Sequence, residues 1–541
     1  MSLRNGSRLG GSSLAVVLAL LVPASASAGG FEFAAAGTRS LGRGGAFAAR
    51  ADDPMALGYN PAMLADLPDT QLMLNSHLAF YDACVQRPGS YPTGTMGTMG
   101  DTVFNREGAD PDAWQNEAFP RVCNSGYPGP SPNIVASFRL LPELGLAFGI
   151  LAPSGVGNSR WGNGDGTVDS PTGLLPSPVR YALVEQDLLL FHPSIGVGWR
   201  IIPEIRVGFT FQWGIGLIRF ANITSSGSGP EDPFSDIRTQ LEVQDWFVPA
   251  GILSVHMQPH PNVDVMFSGR MSDSIGGVTD ASGQLHLTTR TFSADPSMRA
   301  TTTLDGVTLR AGQPWQFTAG VRYADRIRPR AWERGFEAAV RNVVDDPMYS
   351  ENFDIELDVV YELNSQVRDF VVSLPAGSRV VLDGMEVPVP SPQPIPHGWQ
   401  DVIGIRLGGD WNIVPGQIAA RAGVHTEIPL GKSRYQIQDF LSGYRFGLHL
   451  GATFRFERFD VSIAYAHIFQ LDTVIPDGNF RGVAALGEST SPGCTMGAPY
   501  DPSSPVSDTG CYPSGFGGVV NNGTYTAEFN VLSVQASYHF E

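Results

Sequence analysis

Phe353-Asp354-Ile355-Glu356-Leu357-Asp358-Val359-Val360-Tyr361-Glu362 is the stretch on which the fold turns. Laid out as an extended chain, it puts Phe353, Ile355, Leu357, Val359 and Tyr361 on one side and Asp354, Glu356, Asp358 and Glu362 on the other. A period of two means a strand. The second side carries carboxylates where an ordinary solvent face carries Ser and Thr. If the greasy side meets acyl chains, the acids must look away from them, because even one Arg or Lys at the bilayer midplane costs about 2 to 4 kcal/mol. The charged side then faces an enclosed lumen. A closed barrel follows, because open sheet edges cannot be satisfied in hydrocarbon.

The same alternation recurs in Ile205, Val207, Phe209, Phe211, Trp213, Ile215 and Leu217, and again in Phe446, Leu448, Leu450, Ala452, Phe454 and Phe456. Counting such segments gives about 14, an even number of a size familiar among bacterial outer-membrane barrels. The expected fold is all-β, a transmembrane antiparallel barrel over residues 69–541. Connections alternate between tight turns such as Leu141-Pro142-Glu143 and Glu457-Arg458 and long loops, as periplasmic and extracellular ends do. Residues 324–351 break that parity, being long where a short turn is due.

Composition agrees. Of 541 residues, 42% are hydrophobic and 16% charged, which excludes a disordered acidic chain and a coiled coil. No apolar run is long enough for a spanning helix. A formal net charge of -18 disfavours nucleic acid as a partner. Arg4 and Arg8, an apolar run Leu14–Val22, and Pro23 before Ala26-Ser27-Ala28 predict a secretory signal over residues 1–28. Cys84, Cys123, Cys494 and Cys511 are then in an oxidising setting, where three connectivities are possible. Closeness along the chain favours Cys84 with Cys123 and Cys494 with Cys511. Their spacing and lack of His neighbours argue against a metal site. Asn163-Gly164-Asp165-Gly166 with Asp169 departs from EF-hand spacing and reads as a polar turn cluster. HExxH, GxSxG and Walker motifs are missing from the sequence, so no enzyme, cofactor or metal is expected.

Residues 29–68 have no strand pattern, yet are neither charged nor repetitive enough to be a tail. They contain Gly37-Thr38-Arg39-Ser40-Leu41-Gly42-Arg43-Gly44-Gly45-Ala46-Phe47, then Ala51-Asp52-Asp53-Pro54, then Tyr59-Asn60-Pro61-Ala62. This order, directly before the amphipathic strands, resembles the N-terminal hatch of the FadL-type long-chain fatty acid and aromatic hydrocarbon transporters. Ala152-Pro153-Ser154-Gly155, Arg180-Tyr181 and Arg421-Ala422-Gly423 add scattered matches. The chain's last strand, with Leu532, Val534, Ala536, Tyr538 and Phe540 on one face, resembles an outer-membrane insertion signal, although Glu541 lies one residue beyond the terminal aromatic. The surplus over a typical member falls in residues 82–132, 324–351, 366–398 and 470–524.

The resemblance implies a barrel plugged by a hatch at residues 29–68, sited in the outer membrane. It also implies passive uptake of a hydrophobic small molecule, which leaves sideways through the wall. Phe31 and Phe33 are expected at an inner apolar site, with Asn60, Pro61 and Ala62 fixing the hatch to the barrel. Gly145, Gly149, Pro153 and Gly155 lie on or after the third strand, where Gly weakens a ladder and Pro cannot donate to one, and are expected at the lateral opening. Arg206, Arg322, Arg406 and Arg421 project inward by alternation. Arg406 and Arg421 are the candidates for meeting a substrate carboxylate. The expected partners are that hydrophobic small molecule and outer-membrane lipid, with the chain acting as a monomer. Two other readings remain: a surface adhesin or structural barrel with braced loops, and a general water-filled porin.

Overall fold

The computed structural model describes residues 36–68, 70–93, 102–105, 114–152, 158–225, 231–327, 346–382, 384–484, 491, 493–495 and 497–540. The wall of the molecule is built from β1 (Thr70–Gln86), β2 (Gly129–Leu141), β3 (Leu144–Leu151), β4 (Glu185–Ile202), β5 (Ile205–Ser225), β6 (Asp236–His260) and β7 (Val263–Ser272). It continues through β8 (Gln316–Arg326), β9 (Glu351–Glu362), β10 (Val402–Val414), β11 (Ile418–Glu427), β12 (Arg445–Phe456), β13 (Phe459–Gln470) and β14 (Gly523–Phe540). Each strand pairs antiparallel with its neighbours in chain order. The ring closes where β1 runs beside β14, from Thr70 opposite Phe540 to Gln86 opposite Thr524. This is a 14-strand antiparallel barrel, as the alternation requires.

The deciding stretch is β9, and its two sides part as its sequence demands. Ile355 is 53% and Leu357 46% exposed, whereas Asp354 is 2% and Glu356 and Asp358 are 0% exposed. A spanning strand needs about 9 to 11 residues. β7 and β8 meet this with 10 and 11 residues, whereas β5 and β6 have 21 and 25 and rise well past the bilayer. Segments Ala281–Thr289, Ala300–Arg310, Asp369–Ser373 and Gln393–Pro396 pair in sequence onto the upper part of β6 and carry the sheet outward. Two apolar clusters lie at this outer end, one around Tyr91, Trp114 and Trp161, the other around Phe370, Trp399 and Phe440.

Disulfides join Cys84 to Cys123 and Cys494 to Cys511, the pairing that chain proximity favours. The first is not confined to a loop, because Cys84 belongs to β1 and stands directly opposite Cys123. Arg180 is buried where it bonds Asp236 and Glu231 at 2.8 Å each, and Arg87 reaches Glu231 at 2.9 Å. Burial alone would raise the Glu231 carboxyl, but Arg180 and Arg87 hold it below the usual carboxylate range. Asp165 accepts from the Thr167 amide at 2.8 Å and from its hydroxyl at 2.6 Å, which makes the Asn163–Gly166 cluster a self-bonded turn.

The turns at Pro142-Glu143, Pro203-Glu204 and Glu457-Arg458 are tight. The connection from β8 to β9 is the long one. Its described end is a single helical turn, Pro347–Ser350, begun by Asp346, whose carboxylate accepts from the Met348 amide at 3.1 Å. Gly416 donates to the Met348 carbonyl at 2.8 Å, and Arg455 of β12 ion-pairs with Asp346. This short strap therefore reaches from the foot of β9 past the β10–β11 turn.

Candidate functional site in the lumen

Residues 36–68 lie inside the ring. Almost all of them are buried, and they touch the wall on every side. Gly37 donates its amide to His77 of β1 at 2.8 Å, the Thr38 and Ser533 hydroxyls stand 2.6 Å apart, and Ser254 of β6 accepts from the Ala62 amide at 2.9 Å.

The segment is held in two chemically different ways. Toward β3, β4 and β5 it lies backbone to backbone: a Cβ on Gly145 would fall on the Leu64 carbonyl, one on Gly198 on the Pro61 carbonyl, and one on Gly208 on the Ala62 amide. Met55, Leu57, Met63 and Leu64 fill the space beside this panel together with Met73, Val135, Ala147 and Leu151. Toward β8, β9 and β10 the contact is ionic. Arg43 donates to Asp354 (2.9 Å from each of two nitrogens), Asp410 (2.7 Å), Glu356 (3.0 Å) and the Ala46 carbonyl (2.7 Å). That uses all five donors of a guanidinium. Arg50 adds Asp354 at 3.0 Å, and Arg322 of β8 adds Asp354 at 2.6 Å and Asp264 at 3.0 Å. The acids of β9 also receive main-chain donors, Asp358 from the Phe47 and Ala48 amides at 3.0 Å and Glu356 from the Ala49 amide at 2.6 Å.

Of the residues singled out from sequence, Asn60, Pro61 and Ala62 sit at the junction of the two docks. Asn60 donates to the Ala48 carbonyl at 2.9 Å, which ties one half of the segment to the other, and Pro61 opens the short helix Pro61–Ala65 that rests on the glycine panel. Arg206 pairs with Asp66 at 2.7 Å. Arg421 is not available to a substrate: it is buried over Gly42, 3.3 Å from Asp410 and 2.6 Å from the Thr453 hydroxyl that accepts from it. Arg406 differs. It lies on β10 just outward of Gly408, which packs on Arg43, and among the described residues it makes no hydrogen bond or ion pair. Asp358 and His425 stand opposite it in the neighbouring strands, and His425 shares a 2.6 Å contact with His449. Sequence reading gave no role to Arg43 or to this His pair. The only available signal was that Arg43 sits in a glycine-rich run and both His residues fall on inward positions.

Gly145 and Gly149 do not interrupt the wall. Gly145 pairs with Arg139 and Gly198, and Gly149 with Val135 and Ser194, so both belong to a continuous ladder. Gly145 is glycine because the N-terminal segment presses on it. The ladder stops higher, after Leu151. Ala152 gives its amide to the Asn133 side chain at 2.9 Å, and among the described residues no strand pairs with Gly129–Asn133 of β2 or with Leu188–Phe191 of β4 across the interval. A groove of about 1080 Å³ lies there, lined by Pro130, Pro132, Ile150, Leu189, Phe191 and Arg219 among others. Below the segment the space is small: the cleft between Arg39, Asp52, Glu351 and Arg455 holds about 40 Å³, room for a few waters. Pro153 and Gly155, like Phe31, Phe33 and the signal at 1–28, lie outside the described residues. Among the described residues no group of His, Cys, Asp and Glu is arranged to hold a metal.

A closed, apolar-skinned barrel of 14 strands defines an outer-membrane β-barrel. No family model matches the chain, and no curated protein matches it in sequence. Solved structures do. A Pseudomonas aeruginosa FadL homologue superposes with a TM-score of 0.64 at 14% identity, covering 95% of this chain and 100% of that one. The Pseudomonas putida toluene transporter TodX gives 0.57 at 13% identity over 95% and 100%. The monoaromatic hydrocarbon channel CymD gives 0.55 at 15% identity over 94% and 99%. The fold is that of the FadL-type transporters, as the N-terminal motifs imply.

Proposed function

We propose that the protein is a passive channel for hydrophobic small molecules crossing the outer membrane, plugged by its N-terminal segment and opening sideways. The observation that carries this reading is the interval in the wall above Leu151, where β2 and β4 lose their common partner beside a large groove. A hydrophilic solute has no use for such a path. A greasy molecule gains from it, because lateral exit spares it the charged space below. The filled lumen speaks against a general porin. The neighbours named for toluene and monoaromatic hydrocarbons and the FadL homologue share this architecture, which supports the reading at the level of hydrophobic cargo.

Within that reading the lateral opening lies between Pro130–Pro132 and Leu188–Phe191, above Gly145 and Gly149. Arg406 is the cation that meets a carboxylate on its way to the N-terminal segment, because among the described residues it has no hydrogen bond or ion pair, while Arg43 is fully engaged and Arg421 is buried over Gly42 beside Asp410. The test is uptake of labelled oleate and labelled toluene by Gram-negative cells lacking their own transporters. Both should enter faster than with empty vector, and Arg406→Ala should slow oleate about tenfold or more while sparing toluene, since a hydrogen bond to a charge contributes about 1.5 to 3 kcal/mol. Uptake equal to empty vector for both probes rejects the channel. Equal slowing of both rejects only the role of Arg406.

A further inference from the structure

We infer that the lipid-facing wall from β4 to β8 holds a bound acyl chain of a bilayer phospholipid, in a trench that Gly269 helps to line. On β7 the outward positions are Val263, Val265, Phe267, Gly269 and Met271, so the row of side chains lapses once. The neighbours across the ladder are Leu253 on β6 and Phe317 on β8. Phe317 leans into the vacancy: its ring edge lies 3.0 Å from where a Cβ of residue 269 would be. The result is a depression of about 750 Å³ running between ridges made by Trp199, Phe209, Leu253, Phe267, Met271 and Phe317. Those six are 39 to 54% exposed, which is ordinary for a surface bathed in hydrocarbon and costly for one bathed in water.

The chemistry of the lining selects the ligand. Ser254 and Ser268 contribute to the floor, but both alternate to the lumen side, and the Ser254 hydroxyl is engaged with the Ala62 amide at 2.9 Å. The trench therefore presents no polar side chain, and what fits is a chain with no polar group along its length. Its place in the membrane selects the source. The ladder between lumen and trench is unbroken, with Gly208 paired to Ser254 and Ser254 to Ser268, so nothing passes from the lumen to the trench through this wall. Bilayer lipid is the material in contact with it. On a flat wall acyl chains exchange freely, whereas a trench with aromatic sides touches one chain on three sides and retains it through many small dispersion contacts.

The experiment is native mass spectrometry of the full-length protein extracted from cell membranes in mild detergent, with phospholipid adducts counted by mass. Wild type should carry one phospholipid that survives detergent exchange. Gly269→Phe, which fills the trench, should lower the retained fraction at least fivefold, and Ala536→Phe on the lipid face of β14 should leave it unchanged. Should Gly269→Phe fail the heat-shift assay for a folded barrel, Leu253→Trp fills the same space from the opposite strand. No adduct on wild type, or equal adducts on wild type and the filled variants, overturns the inference. So does efficient cross-linking of two copies through Gly269→Cys in membranes, since the trench would then hold a second barrel.

Discussion

The two walls that grip the N-terminal segment lean chiefly on opposite means, even though Arg206 of β5 also pairs with Asp66 and Gly408 of β10 also lies on the Arg43 backbone. On β3, β4 and β5 the wall withdraws its side chains, and glycines at 145, 198 and 208 let the Pro61–Ala65 turn lie on bare backbone. On β8, β9 and β10 the wall extends charged side chains, and Arg43, Arg50 and Arg322 are knitted to Asp354, Glu356, Asp264 and Asp410. A backbone contact tolerates no added atom but loses little when a neighbour is trimmed. An ionic contact behaves the other way, because removing one partner strands the others in a space without water. The comparison can be broken by substituting each wall in turn.

The largest effect should come from Arg43→Ala. Four of its five hydrogen bonds serve three carboxylates, and deleting one partner of a buried network costs about 3 to 5 kcal/mol. The urea midpoint of the detergent-solubilised barrel should fall, and planar-bilayer recordings should show openings absent from wild type. Adding Asp354→Asn should recover part of the loss, since one orphaned charge goes with it. If the double variant is as unstable as the sum of the singles, the network is not a coupled unit. On the opposite wall, Gly208→Ala should cost less, about 1 to 3 kcal/mol, the range for overpacking. Here no second substitution restores stability, because the obstructing atom is the Ala62 amide itself. Rescue of Gly208→Ala by trimming a nearby side chain would show that the panel is packed by side chains after all.

Much of this was open to reading. The alternation in β9 dictated which side of the strand is wet, and Asp354, Glu356 and Asp358 do face inward, because no other placement in a bilayer is tolerable. The tight turns followed from Pro and Glu at positions 142 and 143 and Glu457-Arg458. The site was less legible for a physical reason. Alternation says that Arg406 and Arg421 both point inward, but whether a guanidinium is engaged depends on which acids the fold sets beside it: Asp410 stands 3.3 Å from Arg421, and among the described residues no hydrogen bond or ion pair holds Arg406. Likewise Gly145 reads as a weak point in a strand, and only the position of Leu64 reveals it as a point of close approach. Of the four residues expected at the opening, Gly145 and Gly149 lie in the continuous ladder below the interval and Pro153 and Gly155 lie outside the described residues; where a ladder ends depends on where its partner turns away, which one strand's composition does not record.

The strap at residues 346–350 sharpens the comparison, since it belongs to neither wall and lines the cleft below the N-terminal segment. It is fastened by the Gly416 amide to the Met348 carbonyl at 2.8 Å, by Asn412 to the Pro347 carbonyl at 2.9 Å, and by Arg455 to Asp346. The ion pair is its least buried tie, with the Asp346 side chain 33% exposed, so water screens it and its contribution should be below about 1 kcal/mol. Arg455→Ala also frees Asp460, to which Arg455 donates at 2.7 and 2.8 Å, yet His539 remains beside that carboxylate at 3.2 Å. The barrel's urea midpoint should therefore barely move. What should change is local: amides of residues 346–350 should exchange with deuterium severalfold faster, while those of the Pro61–Ala65 turn keep their protection. Faster exchange at both places would mean that the strap and the N-terminal segment are one cooperative plug, and that the contrast between the two walls ends at the periplasmic mouth.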